Sequence, residues 1–215
     1  MLGLAVAAKI ILQTRPNLHA HFYQSYSGGS YRSREWMAMI NQKLELIHHA
    51  VTSSKNKTVI FSDVDVQFFR SPISILKDQL ATNDMVFQAD SPYGNCCTGF
   101  FAMRCNERVQ RLWSYVHDLV RSSHGTFHDQ DALNALVEAP HSSVQCRIAV
   151  LSSIFFGGGT LSGKPWEPGR KLDISTGIVM HHANFTRGLV NKIKQLVLVC
   201  ETYERQLITQ CKPTK

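Results

Sequence analysis

The sequence predicts an α/β protein in which helices cover both faces of a β-sheet. First, a chain of 215 residues with 44% hydrophobic residues is large and apolar enough to bury the core of one domain. Second, short apolar runs of strand length alternate along the chain with longer segments of helical periodicity. Third, the continuous apolar run Val59-Ile60-Phe61 has the pattern of a buried strand of a parallel sheet.

The N-terminal part of the chain combines two helical segments with an alternating one. Gly3 to Gln13 predicts a helix that ends at Arg15-Pro16. Leu18 to Gln24 alternates as a strand does, and the Gly and Ser residues of Ser25 to Ser30 predict a loop. A longer helix is predicted over Arg34 to Val51 because its apolar residues recur at helical spacing. These residues are Trp36, Met39, Ile40, Leu44, Ile47 and Val51.

The middle of the chain continues the alternation after the run at Val59. Pro72 opens a short helix, since proline is favoured in the first helical turn. Strands are predicted over Met85 to Ala89 and over Thr98 to Arg104. Glu107 to Val120 and Gln130 to Leu136 then predict a long and a short helix.

The C-terminal part predicts two more strands and a final helix. Cys146 to Leu151 and Ile178 to His181 have the composition of short strands. Between them, Phe155 to Arg170 is rich in Gly and Pro and predicts a long irregular loop. The last helix is predicted over Asn191 to about Arg205.

Composition excludes several classes of protein. The net charge of +7 indicates an anionic ligand or surface, but Lys and Arg are scattered and no nucleic-acid-binding motif is present. The six cysteines lack the spacing of a zinc site, and their even number permits disulfides without requiring them. No segment approaches the roughly 20 apolar residues of a membrane span.

Two acids, Asp63 and Asp65, follow the apolar run directly. The carboxyl end of a strand faces the crevice in which open α/β sheets bind ligands. Two close carboxylates repel each other unless they share a cation, and Mg²⁺ or Mn²⁺ carrying phosphates is the usual solution. Three interpretations stay open: a glycosyltransferase metal site on a nucleotide sugar, a haloacid-dehalogenase-type phosphatase whose first Asp is the nucleophile, and a turn with solvated acids.

Two further motifs each allow a structural and a functional interpretation. Asp129, Gln130 and Asp131 precede a helix, where an Asp can act as the cap or where the group can hydrogen-bond sugar hydroxyls and assist transfer. Thr98-Gly99 is either an ordinary strand entry or a place where a sugar ring lies close to the backbone.

The segment His181-His182-Ala183-Asn184 follows the last predicted strand. A histidine at a strand end, with Gly188 and a basic helix start after it, favours a metal and phosphate site. Imidazole suits Mn²⁺ as a third ligand beside two carboxylates. Lys192, near a helix N-terminus with free N–H groups, would add positive charge for a phosphate.

Taken in order, the four motifs resemble those of a known family. FSDVDVQFFRSP, CCTGFFAMR, HDQDALN and HHANFTRGLVNK together span Phe61 to Lys192. They resemble the nucleotide-diphospho-sugar transferase family of GT-A glycosyltransferases, and share a pattern with the glycogenin and galactosyltransferase group. The resemblance implies a single GT-A-like (Rossmann-like) domain over residues 1–199, with a mixed, mostly parallel central sheet and helices on both faces. Residues 200–215 would form the helix end and a tail.

The resemblance also implies an activity and its residues. A hexosyl- or pentosyltransferase would move a sugar from a nucleotide-diphosphate donor, UDP-linked, to a hydroxyl of a glycan or glycoprotein acceptor. Mn²⁺ or Mg²⁺ would bridge the donor phosphates and act as a Lewis acid, and Lys192 would share the growing charge. By this resemblance the metal ligands are Asp63, Asp65 and His182; the nucleotide and substrate contacts are Asp63, Asp90, Thr98, Gly99, Asn184, Gly188 and Lys192; the catalytic residues are Asp129, Gln130 and Asp131.

The front of the chain departs from the family pattern. GT-A domains usually begin with a strand that carries a nucleotide-binding turn, whereas this sequence begins with a helical segment, so that the first strand is expected to be missing or rearranged. A catalytically inactive nucleotide-binding relative therefore stays an alternative. The phosphatase alternative lacks its late acidic pair. The expected location is the Golgi lumen for a eukaryotic protein whose N-terminal anchor is lost, and otherwise the cytoplasm.

Overall fold

The computed structural model describes residues 32–90, 94–139, 145–157 and 165–210. The predicted helix over Gly3 to Gln13 and the predicted strand over Leu18 to Gln24 lie outside these residues. In chain order the described elements are α1 (Arg34–Ser53), β1 (Thr58–Ser62), β2 (Val66–Phe68), α2 (Ile73–Thr82), β3 (Met85–Ala89), β4 (Cys96–Arg104), α3 (Glu107–Ser122), α4 (Asp129–Glu138), β5 (Ile148–Val150), β6 (Phe155–Gly157), β7 (Met180–His182) and α5 (Leu189–Gln210).

The described strands form two sheets, ordered β1-β4-β3-β5 and β2-β7-β6. β4 runs antiparallel to both β1 and β3, and β2 runs antiparallel to β7. The β3–β5 and β6–β7 pairs are parallel. The prediction of a mixed sheet is therefore confirmed, whereas its expected mostly parallel order is wrong for the described strands. Antiparallel pairs outnumber parallel pairs within the described part, because β4 lies between two strands of opposite direction.

The larger sheet buries both of its faces. Adjacent residues of β4 point to opposite faces, so that Phe101 enters one apolar core and Phe100 the other. Helices α1, α3 and α4 cover the first face, and α2 with the smaller sheet covers the second. This confirms helices on both faces. The first core includes Leu44, Ile47, Phe87, Met103 and Trp113, and the second includes Leu76, Leu80, Val86, Ala102 and Phe155.

Most predicted elements occur with shifted ends. The helix predicted from Arg34 and the strand predicted over Met85 to Ala89 begin at the predicted residues. β4 begins two residues before the predicted Thr98, and α5 runs from Leu189 to Gln210. β2 and β6 were not predicted, since both are identified by their pairing with β7 rather than by a local pattern. β6 occupies the start of the segment Phe155 to Arg170, so the prediction of an irregular loop is wrong there.

A buried carboxylate ties three elements together beside β3. Asp84 is fully buried and accepts hydrogen bonds from the Asn106 side chain, the Arg108 guanidinium and the backbone N–H of Arg147. Burial raises the pKa of Asp84, but the bonds from Arg108, Arg147 and Asn106 outweigh it, and the pKa lies below the usual range. The start of α3 and the approach to β5 are thereby fixed against the sheet.

The described helices include none that is long and apolar enough to cross a bilayer. In the part of the chain that the structure describes, every cysteine is a free thiol: Cys96, Cys97, Cys105, Cys146 and Cys200.

Candidate metal centre and its surroundings

The two sheets meet where the chain passes from β1 to β2. The Asp63 N–H donates to the Gly99 carbonyl of β4 at 2.7 Å, and the Asp65 carbonyl accepts from the Ala183 N–H at 3.0 Å. Val66 is paired with His182 at the end of β7. Each acid is therefore held by a different sheet, and they converge through the turn at Val64–Asp65 rather than along an extended strand.

The side chains of Asp63, Asp65 and His182 form a cluster with the donor set of a metal site. One ligand atom of each lies within 4.8 Å of the others, and among the described residues no other such group of three was found. The side chains of Asp65 and His182 are 11% and 4% exposed, whereas that of Asp63 is 34% exposed. Two carboxylates and one imidazole fit Mn²⁺, and Asp63 gives the cluster an open side from which a ligand can approach.

The two carboxylates differ in their electrostatics. Burial raises the pKa of Asp65, but His182 at 3.3 Å and the Lys192 ammonium outweigh it, and the pKa lies well below the usual range. For Asp63, burial and the neighbouring Asp65 raise the pKa despite the nearby Lys43. The pKa of His182 is raised to about 10, because Asp65 outweighs the opposing effect of burial. A bound ion would displace the proton from Nε2 of His182, since imidazole binds metals in its neutral form.

The His182 ring lies against a glycine and a buried amide. A Cβ on Gly99 would lie 2.2 Å from Cε1 and 2.9 Å from Nε2 of His182, and 3.0 Å from Oδ2 of Asp63. The Nδ1 atom of the ring lies 2.9 Å from Oε1 of Gln88. The functional interpretation of the sequence placed a sugar ring close to the backbone at Gly99. In the structure the His182 imidazole occupies that space.

Lys43 of α1 connects the metal cluster with the motif at the start of α4. Its ammonium lies 2.9 Å from Oδ2 of Asp129 and 3.4 Å from Oδ1 of Asp63, and it donates to the Thr98 hydroxyl at 3.4 Å. Burial lowers the pKa of Lys43, but Asp129 and Asp63 outweigh it and raise the pKa above its usual range. Sequence reasoning missed this residue, although a signal was present: Lys43 lies three residues after Ile40 and four before Ile47, on the apolar face of its helix.

The three predicted catalytic residues at the start of α4, Asp129, Gln130 and Asp131, make different contacts. His128 is the N-cap, and Asp131 completes a reciprocal capping box, so the expected Asp cap is a His instead. Asp129 is 2% exposed and faces Lys43, and Gln130 accepts a hydrogen bond from the Thr98 N–H at 3.2 Å. Burial raises the pKa of Asp129, but Lys43 and His128 outweigh it, and the carboxylate stays ionised.

The other predicted binding residues include Asp90, Asn184, Gly188 and Lys192, and each has an identifiable contact or conformation. Asn184 donates to Asp90 at 3.4 Å, and the pKa of Asp90 is raised by burial. Lys192, in the first turn of α5, contacts Asp65 directly. Gly188 has φ of 78°, a left-handed conformation that favours glycine, so it shapes the entry to α5. The structure therefore joins the predicted residues in a continuous contact network, in which Gly188 accepts a hydrogen bond from the Lys192 N–H at 3.1 Å and Asp131 is linked to Asp129 through His128.

Asp131 lies farther out, where it pairs with Arg32 at 3.1 Å. It borders a cavity of about 480 Å³ that Asp90 and Gln130 also line. Other polar residues of its wall are Asn95, Asn134 and Glu138.

The mixed α/β fold brings two acids and an imidazole together beside the start of α5, and this donor set fits a divalent cation. The chain belongs to the nucleotide-diphospho-sugar transferase family, whose model matches residues 5–196. Among solved structures, the chain is similar to a glycosyltransferase involved in the glycosylation of the major capsid of PBCV-1. The TM-score is 0.57 at 11% identity, and the similarity covers 91% of each chain, which supports the fold. No curated protein sequence matches.

Proposed function

We propose that the protein is a metal-dependent glycosyltransferase, a hexosyl- or pentosyltransferase that moves a sugar from a UDP-linked donor to a hydroxyl of a glycan or glycoprotein. The observation that carries the proposal is the convergence of Asp63, Asp65 and His182 in a chain of the nucleotide-diphospho-sugar transferase family. Two acids at one turn and a histidine more than a hundred residues later supply one donor set, and Lys192 adds a positive charge at its edge.

The metal site would hold Mn²⁺ through the two carboxylates and the imidazole of His182. When bound, the ion supplies Lewis-acid stabilisation of the departing nucleoside diphosphate. Lys192 would turn from Asp65 towards the diphosphate, where its charge and the N–H groups at the start of α5 stabilise the leaving group. Asn184 and Gly188 shape the same edge of the site.

The donor sugar would lie on the side of the centre that Lys43 and Asp129 occupy. Asp129 is buried and held ionised by Lys43, and the pair would position Lys43 and the Thr98 hydroxyl beside the sugar. Thr98, Gln130 and Asp90 offer further polar groups on the same side. Gly99 keeps the metal-ligand ring in place beside them.

The acceptor would enter through the polar cavity beside Gln130 and Asp131. If the reaction inverts the anomeric centre, a carboxylate base must lie near the acceptor hydroxyl, and Asp131, which lines the cavity, would serve as that base. A retaining reaction needs no such base. The anomeric configuration of the product, measured by NMR, distinguishes the two.

The test is a screen of nucleotide sugars with Mn²⁺, read by the melting temperature and by hydrolysis of the donor. We expect a UDP-sugar to stabilise the protein only in the presence of the ion, and Asp65→Ala to remove that effect. Asp118→Ala, which changes an exposed carboxylate on α3, is the matched control. Unchanged donor affinity of Asp65→Ala by calorimetry would refute the proposal. Binding by the unaltered protein without hydrolysis or transfer to any acceptor would favour the inactive nucleotide-binding alternative.

A further inference from the structure

We infer that Gln88 is a positioning residue for His182: its amide oxygen holds the imidazole with Nδ1 protonated and Nε2 turned towards Asp65. This inference rests on the proposed metal site, because it concerns how well that site is preorganised to take an ion.

Gln88 is a buried polar residue. It is fully buried on β3, and its amide lies between the Phe155 backbone of β6 and the His182 ring of β7. Burying an amide is costly unless its polar atoms are hydrogen-bonded. Both ends of the Gln88 amide have partners, so its burial is compensated.

The two partners determine which way the amide faces. The Nε2 group of Gln88 lies 3.3 Å from the carbonyl oxygen of Phe155, which can only accept. Oε1 of Gln88 must therefore face Nδ1 of His182, at 2.9 Å. Because Oε1 can only accept, Nδ1 carries the proton, and Nε2 is the nitrogen available to a metal ion.

The ladder between β3 and β4 is irregular at this place. The register shifts between Phe87, which pairs with Phe101, and Gln88, which pairs with Cys97. Irregularities of the ladder are frequent beside active sites. Cys97 is also near the ring, with its sulfur 3.8 Å from Nδ1, but sulfur is a much weaker acceptor than an amide oxygen.

Removal of a partner that orients a ligating histidine typically weakens metal affinity by about 10–100-fold. The test is calorimetric titration with Mn²⁺ of the full chain and of the variants Gln88→Met and Gln88→Glu. Methionine has a similar length but offers no comparable acceptor, so we expect affinity to fall by about 10–100-fold. Glutamate keeps an oxygen acceptor towards Nδ1, and we expect affinity at least equal to that of the unaltered chain.

The pair of variants separates positioning from a merely structural role. Both lose the donor to Phe155, so a structural role would weaken both to the same extent, and that result would overturn the inference. Gln206→Met is the matched control, since this amide also donates to a backbone carbonyl, that of Ile174, away from the centre. We expect its Mn²⁺ affinity to be unchanged.

A second measurement needs no variant of Gln88. Zn²⁺ is a diamagnetic ion that binds imidazole nitrogen, and the ¹⁵N shifts of His182 in its presence report the protonated nitrogen. We expect the proton on Nδ1; a proton on Nε2 would overturn the inference. If the unaltered chain binds no Mn²⁺, the proposed metal role fails and the inference fails with it. If the unaltered chain binds Mn²⁺ and Gln88→Met binds it equally well, the inference alone fails.

Discussion

The imidazole of His182 lies against the backbone at Gly99, only 2.2 Å from where a Cβ on that residue would be. The ring is also contacted by the Gln88 amide, whose Oε1 lies 2.9 Å from Nδ1. Its Nε2 lies 3.3 Å from Oδ1 of Asp65. The geometry of the candidate metal site therefore depends on a residue that has no side chain.

Gly99→Ala should displace the His182 ring, because the new methyl group would overlap with Cε1. We expect Mn²⁺ affinity to fall at least about tenfold, and the free energy of unfolding to fall by about 1–3 kcal/mol through overpacking. Calorimetry and urea denaturation measure the two effects. Gly177→Ala is the control, since its Cβ would meet only the Ser175 hydroxyl at 3.3 Å. Unchanged Mn²⁺ binding by Gly99→Ala would contradict the confinement of the ring.

Lys43→Met should leave Asp129 buried without its counter-charge. Loss of one partner of a buried ion pair costs about 3–5 kcal/mol, so we expect a large loss of stability in urea denaturation. The double variant Lys43→Met/Asp129→Asn removes both charges and should recover much of that loss. Additive losses in the double variant would show that the two side chains do not act as a pair.

Stability in acid should depend on Asp84. Because its pKa is lower in the folded than in the unfolded chain, its carboxylate stabilises the fold above the unfolded pKa of about 3.9. That contribution is lost as the pH falls below this value towards the folded pKa. Asp84→Asn should therefore be less stable at pH 7 and show a weaker loss of stability on acidification. Asp118→Asn, with a 79% exposed side chain, should behave as the unaltered chain does; equal acid profiles for all three proteins would be inconsistent with this role.

The three candidate metal ligands, Asp63, Asp65 and His182, could be predicted from the sequence, because each lies next to a strand end and strand ends can be recognised from local patterns. Gln88 could not be found in this way, since its partner is 94 residues away and only the fold brings them together. Lys43 could have been found, because a lysine on the apolar face of a predicted helix needs a buried partner. The His cap of α4 was not expected, because Ser, Thr, Asp and Asn are the usual N-cap residues.

Lys192 should affect metal and donor binding in opposite directions. Its ammonium contacts Asp65, so it competes with a cation for that carboxylate, yet the proposed function gives it the donor diphosphate as a partner. Lys192→Met should therefore bind Mn²⁺ alone at least as tightly as the unaltered chain. It should bind UDP in the presence of Mn²⁺ about 10–100-fold more weakly, since a hydrogen bond to a charged group contributes about 1.5–3 kcal/mol. Lys194→Met, an exposed lysine two residues further along α5, should change neither affinity. Parallel weakening of both affinities in Lys192→Met would instead make Lys192 a structural support of Asp65, with no direct contact to the donor.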